Sequence, residues 1–266
     1  PSPPVRISVH LHPYGDGRKL LLTRDVTALE QADAMRRDFV ANVSHEIRTP
    51  LTVLTGFVET LQTLQLDAEE RARYLAMMAQ QAARMQSVVH DLLTLSRLEG
   101  SPLPGMSEWT PVQALMQRCE EESRALSAVL TQNHQRHHVL QFPAAQDLRA
   151  AGDIAGVPSE LQSALSNLIS NAVRYTPAGG TITVQWRYTA DGNAIFSVSD
   201  TGPGIAPEHI PRITERFYRV DRSRSRETGG TGLGLAIVKH AVQRHGATLE
   251  ITSALGKGSV FSVTFP

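Results

Sequence analysis

The spacing of apolar positions changes along this chain, and each change marks a different kind of element. Residues 5–24 alternate at the strand period, as Val5–His12 and Lys19–Thr23 around the turn Tyr14-Gly15-Asp16-Gly17. A lone hairpin is marginal in water, so this one reads as the tail of a larger sheet domain. Arg24–Arg37 is helical and polar, with Asp25 placed to cap its start. From Asp38 to Leu64 the helical period is plain. Val40, Ile47, Leu51, Leu54, Val58 and Leu61 fall within roughly 40° of one direction at about 100° per residue. A second helix is predicted over Glu69–Glu99, where Leu75, Met78, Ala82, Met85, Val89 and Leu92 step three and four apart as a heptad seam. Gln65–Ala68 joins the two as an antiparallel hairpin. Two helices with one seam each leave apolar surface uncovered, and pairing two hairpins into a four-helix bundle covers it.

After Gly100-Ser-Pro-Leu-Pro-Gly the character changes. Helices predicted over 111–130, 157–174 and 232–245 alternate with strands at His138–Phe142, Thr181–Tyr188, Ala194–Ser199, Thr248–Ser253 and Ser259–Phe265. Without a regular βαβ rhythm, these elements predict an α+β sandwich with its helices on one face. The expected domains are a sheet-domain tail at 1–24, a linking helix at 25–37, the hairpin at 38–100, a linker at 101–110 and the sandwich at 111–266.

Composition narrows the functions open to such a chain. Its 266 residues suit about two domains. Lys+Arg and Asp+Glu each total 26, and this balance argues against a general binder of nucleic acid or anionic membrane. The single Cys119 excludes an internal disulfide framework and any CxxC site. No apolar run has the length of a membrane span. The chain opens Pro-Ser-Pro-Pro without Met, and is expected to be a piece of something longer.

Three constellations carry candidate chemistry. In Ser44-His45-Glu46-Ile47-Arg48-Thr49-Pro50-Leu51, His45 points roughly 160° away from the apolar face, so its imidazole meets solvent. Thr49 shares that face one turn later. Glu46 could accept from one ring nitrogen and leave the other nucleophilic. Pro50 cannot donate to the Glu46 carbonyl, so a bend is expected there. Thr49 stands where the HExxH zinc motif needs its second His, which excludes that reading.

On a later helix, Asn167, Asn171 and Arg174 recur at four and three on one face. Amide oxygens suit Mg²⁺ and a guanidinium suits phosphate, although an exposed polar face would look the same. The third constellation is a pair of glycine clusters, Asp200-Thr201-Gly202-Pro203-Gly204 and Gly229-Gly230-Thr231-Gly232-Leu233-Gly234. Neither is a P-loop or a GxGxxG motif. Asp200 ends a predicted strand and could accept from an exocyclic amine, while the second cluster opens a helix whose amides can hold phosphate. Either cluster could equally be a plain turn. Polar Arg219–Thr228 suits a mobile cover over a ligand. His134, His137 and His138 could be read as metal ligands, but polar loop histidines are usually just solvated.

Together these pieces resemble the sensor histidine kinases of two-component systems. His45–Leu51 resembles their histidine box and Asn167–Asn171 their asparagine box. Asp200–Gly204 is similar to the first glycine box, Glu215-Arg216-Phe217-Tyr218-Arg219 to the phenylalanine box, and Gly230–Gly234 to the second glycine box. All five stand in the family's order across residues 36–266. Asp25-Val26-Thr27 resembles the tripeptide that joins a PAS domain to its output helix.

The resemblance implies an ATP-binding Bergerat sandwich that phosphorylates His45, with Glu46 beside it. Thr49 would complete a phosphatase pattern, His-Glu-x-x-Thr. Asn171 would hold Mg²⁺ with Asn167 in support, and Arg174 and Tyr175 would touch phosphate and nucleotide. Asp200 would read adenine, and Gly202 and Gly204 would belong to the same ATP site. The backbone of Gly230, Thr231, Gly232, Leu233 and Gly234 would close on the phosphates. Arg174 stands where many members carry Lys, which keeps the charge and changes its geometry. The implied partners are a second copy of the chain, as a homodimer, and the receiver domain of a response regulator, with no nucleic acid. The implied location is the cytoplasmic face of the inner membrane, held there only through a missing N-terminal part. A Bergerat ATPase that does mechanical work would share the Asn and Gly motifs without needing an exposed His on a hairpin. A nucleotide-binding scaffold would share them too.

Overall fold

The computed structural model describes residues 5–105, 108–221 and 230–266. Much of the Arg219–Thr228 stretch, from 222 onward, lies outside the described residues, as does Gly229. The chain divides into two compact units, and their boundary falls inside a helix, between Gln81 and Ala82.

The first unit opens with an antiparallel hairpin, β1 (Ile7–Tyr14) and β2 (Arg18–Asp25), in the register Val9↔Thr23 and Leu11↔Leu21. Gly15, Asp16 and Gly17 all take positive φ to make the turn. Val9, Leu11, Leu21 and Leu22 are each more than half exposed, so both faces of the hairpin carry uncovered apolar side chains. Helix α1 (Thr27–Thr63) follows directly. It is one helix, where the sequence suggests a polar segment and then an amphipathic one, because no breaker stands between Val26 and Pro50. Asp25 does cap it, from one position further out than expected, by accepting from the Thr27 N–H at 2.9 Å. The Thr27 hydroxyl and N–H hold the Asp25 carboxyl below the usual carboxylate range.

The helix runs through Pro50, which is buried. Ser44, Thr49, Thr52, Thr55, Thr60 and Thr63 each donate a hydroxyl to the carbonyl four residues back. This pattern loosens a helix and lets it bend. Helix α2 (Ala68–Gly100) starts with a reciprocal cap: Glu70 N–H donates to Asp67 Oδ1 at 2.8 Å, and Asp67 N–H to Glu70 Oε2 at 3.2 Å. Ile47, Leu54 and Leu61 of the predicted seam are half-buried, whereas Val40, Leu51, Val58 and Leu75 remain exposed.

The second unit holds the end of α2 and a sandwich. Its elements are β3 (Trp109–Pro111), α3 (Val112–Thr131), β4 (Val139–Gln141), α4 (Ala145–Ala151), β5 (Asp153–Ala155), α5 (Pro158–Tyr175), β6 (Thr181–Tyr188), β7 (Ala194–Asp200), α6 (Gly234–Arg244), β8 (Thr248–Ala254) and β9 (Gly258–Phe265). The main sheet has the order β4-β6-β7-β9-β8. Only the β4–β6 pair is parallel. The small β3–β5 pair and α4 leave no periodic signal of their own and are absent from the sequence reading. Helix α5 packs between α3 and α6 on one face of the sheet. Leu165, Leu168 and Ile169 meet Phe196, Val198 and Val263 in the core. The α+β architecture is therefore the one expected, with a helical hairpin ahead of an α/β sandwich.

The last turns of α2 belong to this unit because they are fastened to it. Arg244, in the last turn of α6, donates to Leu98 O at 3.0 Å, Ser101 O at 2.8 Å and Pro102 O at 2.7 Å. Its remaining donors meet Glu160 at 2.9 and 3.0 Å. All five guanidinium N–H groups are used, and the side chain is only 9% exposed. Glu99 adds pairs to Arg216 and to His240. Val88, Leu95 and Leu98 are buried, so the covered stripe of α2 is displaced from the predicted seam, where Val89 stays exposed.

Candidate active site

The second unit contains a cavity of about 480 Å³ among α2, α5, the end of β7, β9 and the loop into α6. Helix α5 is amphipathic because Leu161, Leu165, Leu168 and Ala172 fill the core, which turns Asn167, Asn171 and Arg174 to the opposite side and into the cavity. Asn167 Nδ2 donates to Ser163 O at 2.8 Å. Its Oδ1 lies so close to Gly234 that a Cβ there would come within 2.5 Å. The start of α6 thus packs against α5, and a side chain at 234 would have to push the Asn167 amide aside. Arg174 is largely withdrawn from water, which lowers its pKa, while Tyr175 and Asp91 oppose that shift.

Asp200 ends β7 and is 8% exposed. Its Oδ1 accepts from the Gly202 N–H at 2.8 Å. Burial pushes its carboxyl above the usual range, against hydrogen bonds from the Gly202 and Ser259 backbones. Backbone packs tightly around it. A Cβ on Gly204 would lie 2.0 Å from Ala254 O, and one on Gly258 would lie 1.9 Å from Asp200 O.

The loop into α6 is bound to the segment before it. Phe217, at φ 61°, donates its N–H to Gly232 O at 2.8 Å, and the Arg219 guanidinium bonds Gly230 O. The Thr231 hydroxyl accepts from Leu233 N–H at 3.2 Å and donates to Asp91 Oδ2 at 2.6 Å. Burial raises the Asp91 carboxyl above its usual range, despite Thr231, His90 and Arg174 nearby. Gly234 lines the cavity as the first residue of α6, where helix N–H groups lack intrahelical acceptors.

The structure thus gathers Asn167, Asn171, Arg174, Tyr175, Asp200, Gly204, Gly230, Thr231, Gly232 and Gly234 around one cavity. Gly202 and Leu233 are not in its lining: Gly202 sits behind Asp200, and Leu233 is fully buried. His45, Glu46 and Thr49 belong to the other unit, on α1. There His45 and Thr49 are exposed and Glu46 is half-buried. The Thr49 hydroxyl donates to the His45 carbonyl at 3.0 Å. Sequence reasoning missed Asp91, Tyr218 and Ser259 in the lining and Gly258 behind it. Each arrives from an element remote in sequence, and among these only Tyr218 lies in a motif that could have flagged it.

Two family models match the chain. Residues 35–101 match the family model of the His Kinase A (phospho-acceptor) domain. Residues 156–266 match that of the Histidine kinase-, DNA gyrase B-, and HSP90-like ATPase, a type of domain that binds ATP. The chain is 48% identical over 262 residues to the phosphate regulon sensor protein PhoR of Pseudomonas aeruginosa, covering 98% of this chain and 57% of that protein. PhoR of Haemophilus influenzae is 36% identical over 260 residues, with 98% and 58% covered. The structure of full-length ShkA in complex with AMPPNP aligns with a TM-score of 0.55 at 28% identity, over 86% of this chain and 45% of that one. The chain spans somewhat over half the length of the curated relatives it matches. With a phospho-acceptor hairpin followed by an ATPase domain, and with two sensor proteins alike over nearly all of its length, the chain belongs to the sensor histidine kinases.

Proposed function

We propose that this chain is the kinase core of a two-component sensor. It binds ATP in the cavity of the second unit, phosphorylates His45 and passes the phosphoryl group to an aspartate of a response regulator. The observation that carries this is the cavity itself. A buried carboxylate, Asp200, lines the same cavity as the opening turn of α6 and Arg174, a set of groups that suits an amine-bearing base joined to phosphates. The amide oxygen of Asn171 suits Mg²⁺, an ion that favours oxygen donors and spreads phosphate charge, and Asn167 braces that helix face.

In the transfer, an imidazole nitrogen of His45 bonds to the γ-phosphorus as the bond to the β–γ bridging oxygen breaks and ADP leaves. Glu46 takes the proton from the other ring nitrogen. Incubation with ATP and Mg²⁺ should leave acid-labile, alkali-stable phosphate on the protein. A chain that hydrolyses ATP without such phosphate would instead be an ATPase, and one that only binds it a scaffold.

The likeness to PhoR supports phosphate starvation as the setting, and a receiver domain as the partner. Exposed Val40, Leu51, Val58 and Leu75 support homodimerisation through the hairpin. The domain assignment we favour is a PAS-like tail at 1–24, a signalling helix at 25–37, the phosphotransfer hairpin at 38–100, a linker at 101–110 and the catalytic domain at 111–266. Among the described residues no helix is long and apolar enough to cross a membrane. Anchoring of the whole protein at the cytoplasmic face of the inner membrane belongs to the same proposal.

Two substitutions probe the roles of single groups. Asp91 puts a carboxylate beside the loop assigned to phosphate, so Asp91→Asn should tighten ATP binding about threefold to tenfold, the effect of removing one like charge at a partly shielded site. Calorimetry showing weaker binding would mean that Asp91 serves the nucleotide. Thr49 spends its hydroxyl hydrogen on the His45 carbonyl, so toward water it can only accept. In that role it would orient a water for attack on the regulator's phosphoaspartate. Thr49→Ala should then lose phosphatase activity, by roughly 2–4 kcal/mol of barrier, while autophosphorylation falls only modestly. If Thr49 merely supports the helix, matched rate measurements will show both activities falling together.

A further inference from the structure

The two-histidine run at the entry to β4 is not part of the cavity, yet His138 is built into the fold next to it. Its Nε2 lies 2.9 Å from the Thr176 carbonyl and its Nδ1 lies 3.0 Å from the Ser127 hydroxyl. A carbonyl only accepts, so Nε2 carries a hydrogen, and in the neutral ring Nδ1 receives the one from Ser127. Both nitrogens are therefore spent on protein partners, which removes His138 from any metal set. The groups it joins are buried, Ser127 at 5% and Thr176 at 4% exposure.

Thr176 is the residue that ends α5, directly after Arg174 and Tyr175. Its own N–H and hydroxyl both turn back to Ala172 O, at 3.0 and 2.7 Å. The turn is packed on its other side as well: a Cβ on Gly202 would lie 3.0 Å from Tyr175 O, and one on Gly180 would lie 2.3 Å from the Thr176 methyl. A shift of this turn therefore displaces Arg174 and Tyr175 in the cavity and the glycine loop beside Asp200 together.

We infer that His138 is a positioning residue for the nucleotide: by holding the Thr176 carbonyl to α3, it fixes the last turn of α5 and so the placement of Arg174 and Tyr175. The inference rests on the reading of the cavity as an ATP site. Removing the donor leaves a buried carbonyl unpaired, and the turn relaxes to find another.

The test compares His138→Ala, His138→Gln and His138→Phe in the whole chain. It measures ATP affinity, the KM and kcat of autophosphorylation, melting temperature, and hydrogen exchange of the amides at 174–176. The side-chain amide of glutamine can supply a donor near the place of Nε2, and phenylalanine supplies the ring without one. In the alanine and phenylalanine variants we expect ATP affinity to fall and KM to rise about fivefold to tenfold, with kcat little changed and faster exchange at the turn. Glutamine should restore most of both. Recovery by phenylalanine as well as by glutamine would overturn the inference, because packing alone would then suffice. So would a lower melting temperature with affinity and exchange unchanged. A wild-type chain that binds no ATP would refute the functional reading and the nucleotide part of this inference, while the exchange rates still decide whether His138 holds the turn.

Discussion

Replacing His45 with glutamine should reduce the phosphoenzyme to background and leave ATP affinity near that of the wild type. The imidazole is exposed on α1, and the residues that line the cavity all belong to the other compact unit, so its removal takes away none of the groups that line the cavity. Glutamine keeps the size and polarity of the side chain and favours the helix about as well, so the hairpin should fold unchanged. What it lacks is a nitrogen with a lone pair free to form a bond to phosphorus. Acid-labile phosphate retained in this variant would move the phosphorylated residue elsewhere. Loss of ATP binding alongside the phosphate would show that the two units are more tightly coupled than their separate cores indicate.

Gly258→Ala should be among the most damaging small substitutions in the chain. The residue has φ +87°, and a Cβ there would lie 1.9 Å from the carbonyl oxygen of Asp200. Left-handed backbone costs a side chain of the order of 1–3 kcal/mol, and the forced shift of a packed strand a similar amount, so a total of about 2–6 kcal/mol is expected. Gly256→Ala is the control. Its φ is +73° but nothing stands within 4 Å, so only the backbone strain applies. Denaturant melts of both variants give the two costs. Equal values would show that the sheet yields to the collision, whereas a larger loss at Gly258 together with weakened ATP binding would locate that cost at Asp200.

Those two glycines also show where sequence reading stops. Thr181–Tyr188 is predicted and found with the same bounds, because alternation over eight residues is a local signal. The motifs on α5 and before α6 are local too, and their grouping around one cavity follows once the helices are placed. Gly258 carries no such mark: a glycine in a hairpin turn is ordinary, and its importance comes from a carbonyl nearly sixty residues earlier. Asp91 is equally silent, as one acid on a helix of mixed polarity. The heptad seam of α2 located the helix and misplaced the covered stripe of its last turns, burying Val88, Leu95 and Leu98 instead. Periodicity reports that a face will be covered but not by what, and here the partner of α2 changes along its length.

The Arg244 fork has a practical consequence for dissecting the molecule. The Gly100–Gly105 segment invites a cut, as the obvious place to separate a nucleotide-binding fragment from the hairpin. A fragment begun after it would lose Leu98, Ser101 and Pro102, the acceptors for three donors of a guanidinium that is nine-tenths buried. Glu160 alone would face the remaining charge, and the buried side chains Val88, Leu95 and Leu98 would be missing from the same unit. Such a fragment should express less well and melt lower than one begun at Ala82, for reasons unrelated to nucleotide chemistry. The excisable piece of this chain is set by where its hydrogen bonds close, and that point lies about five helical turns upstream of the glycine.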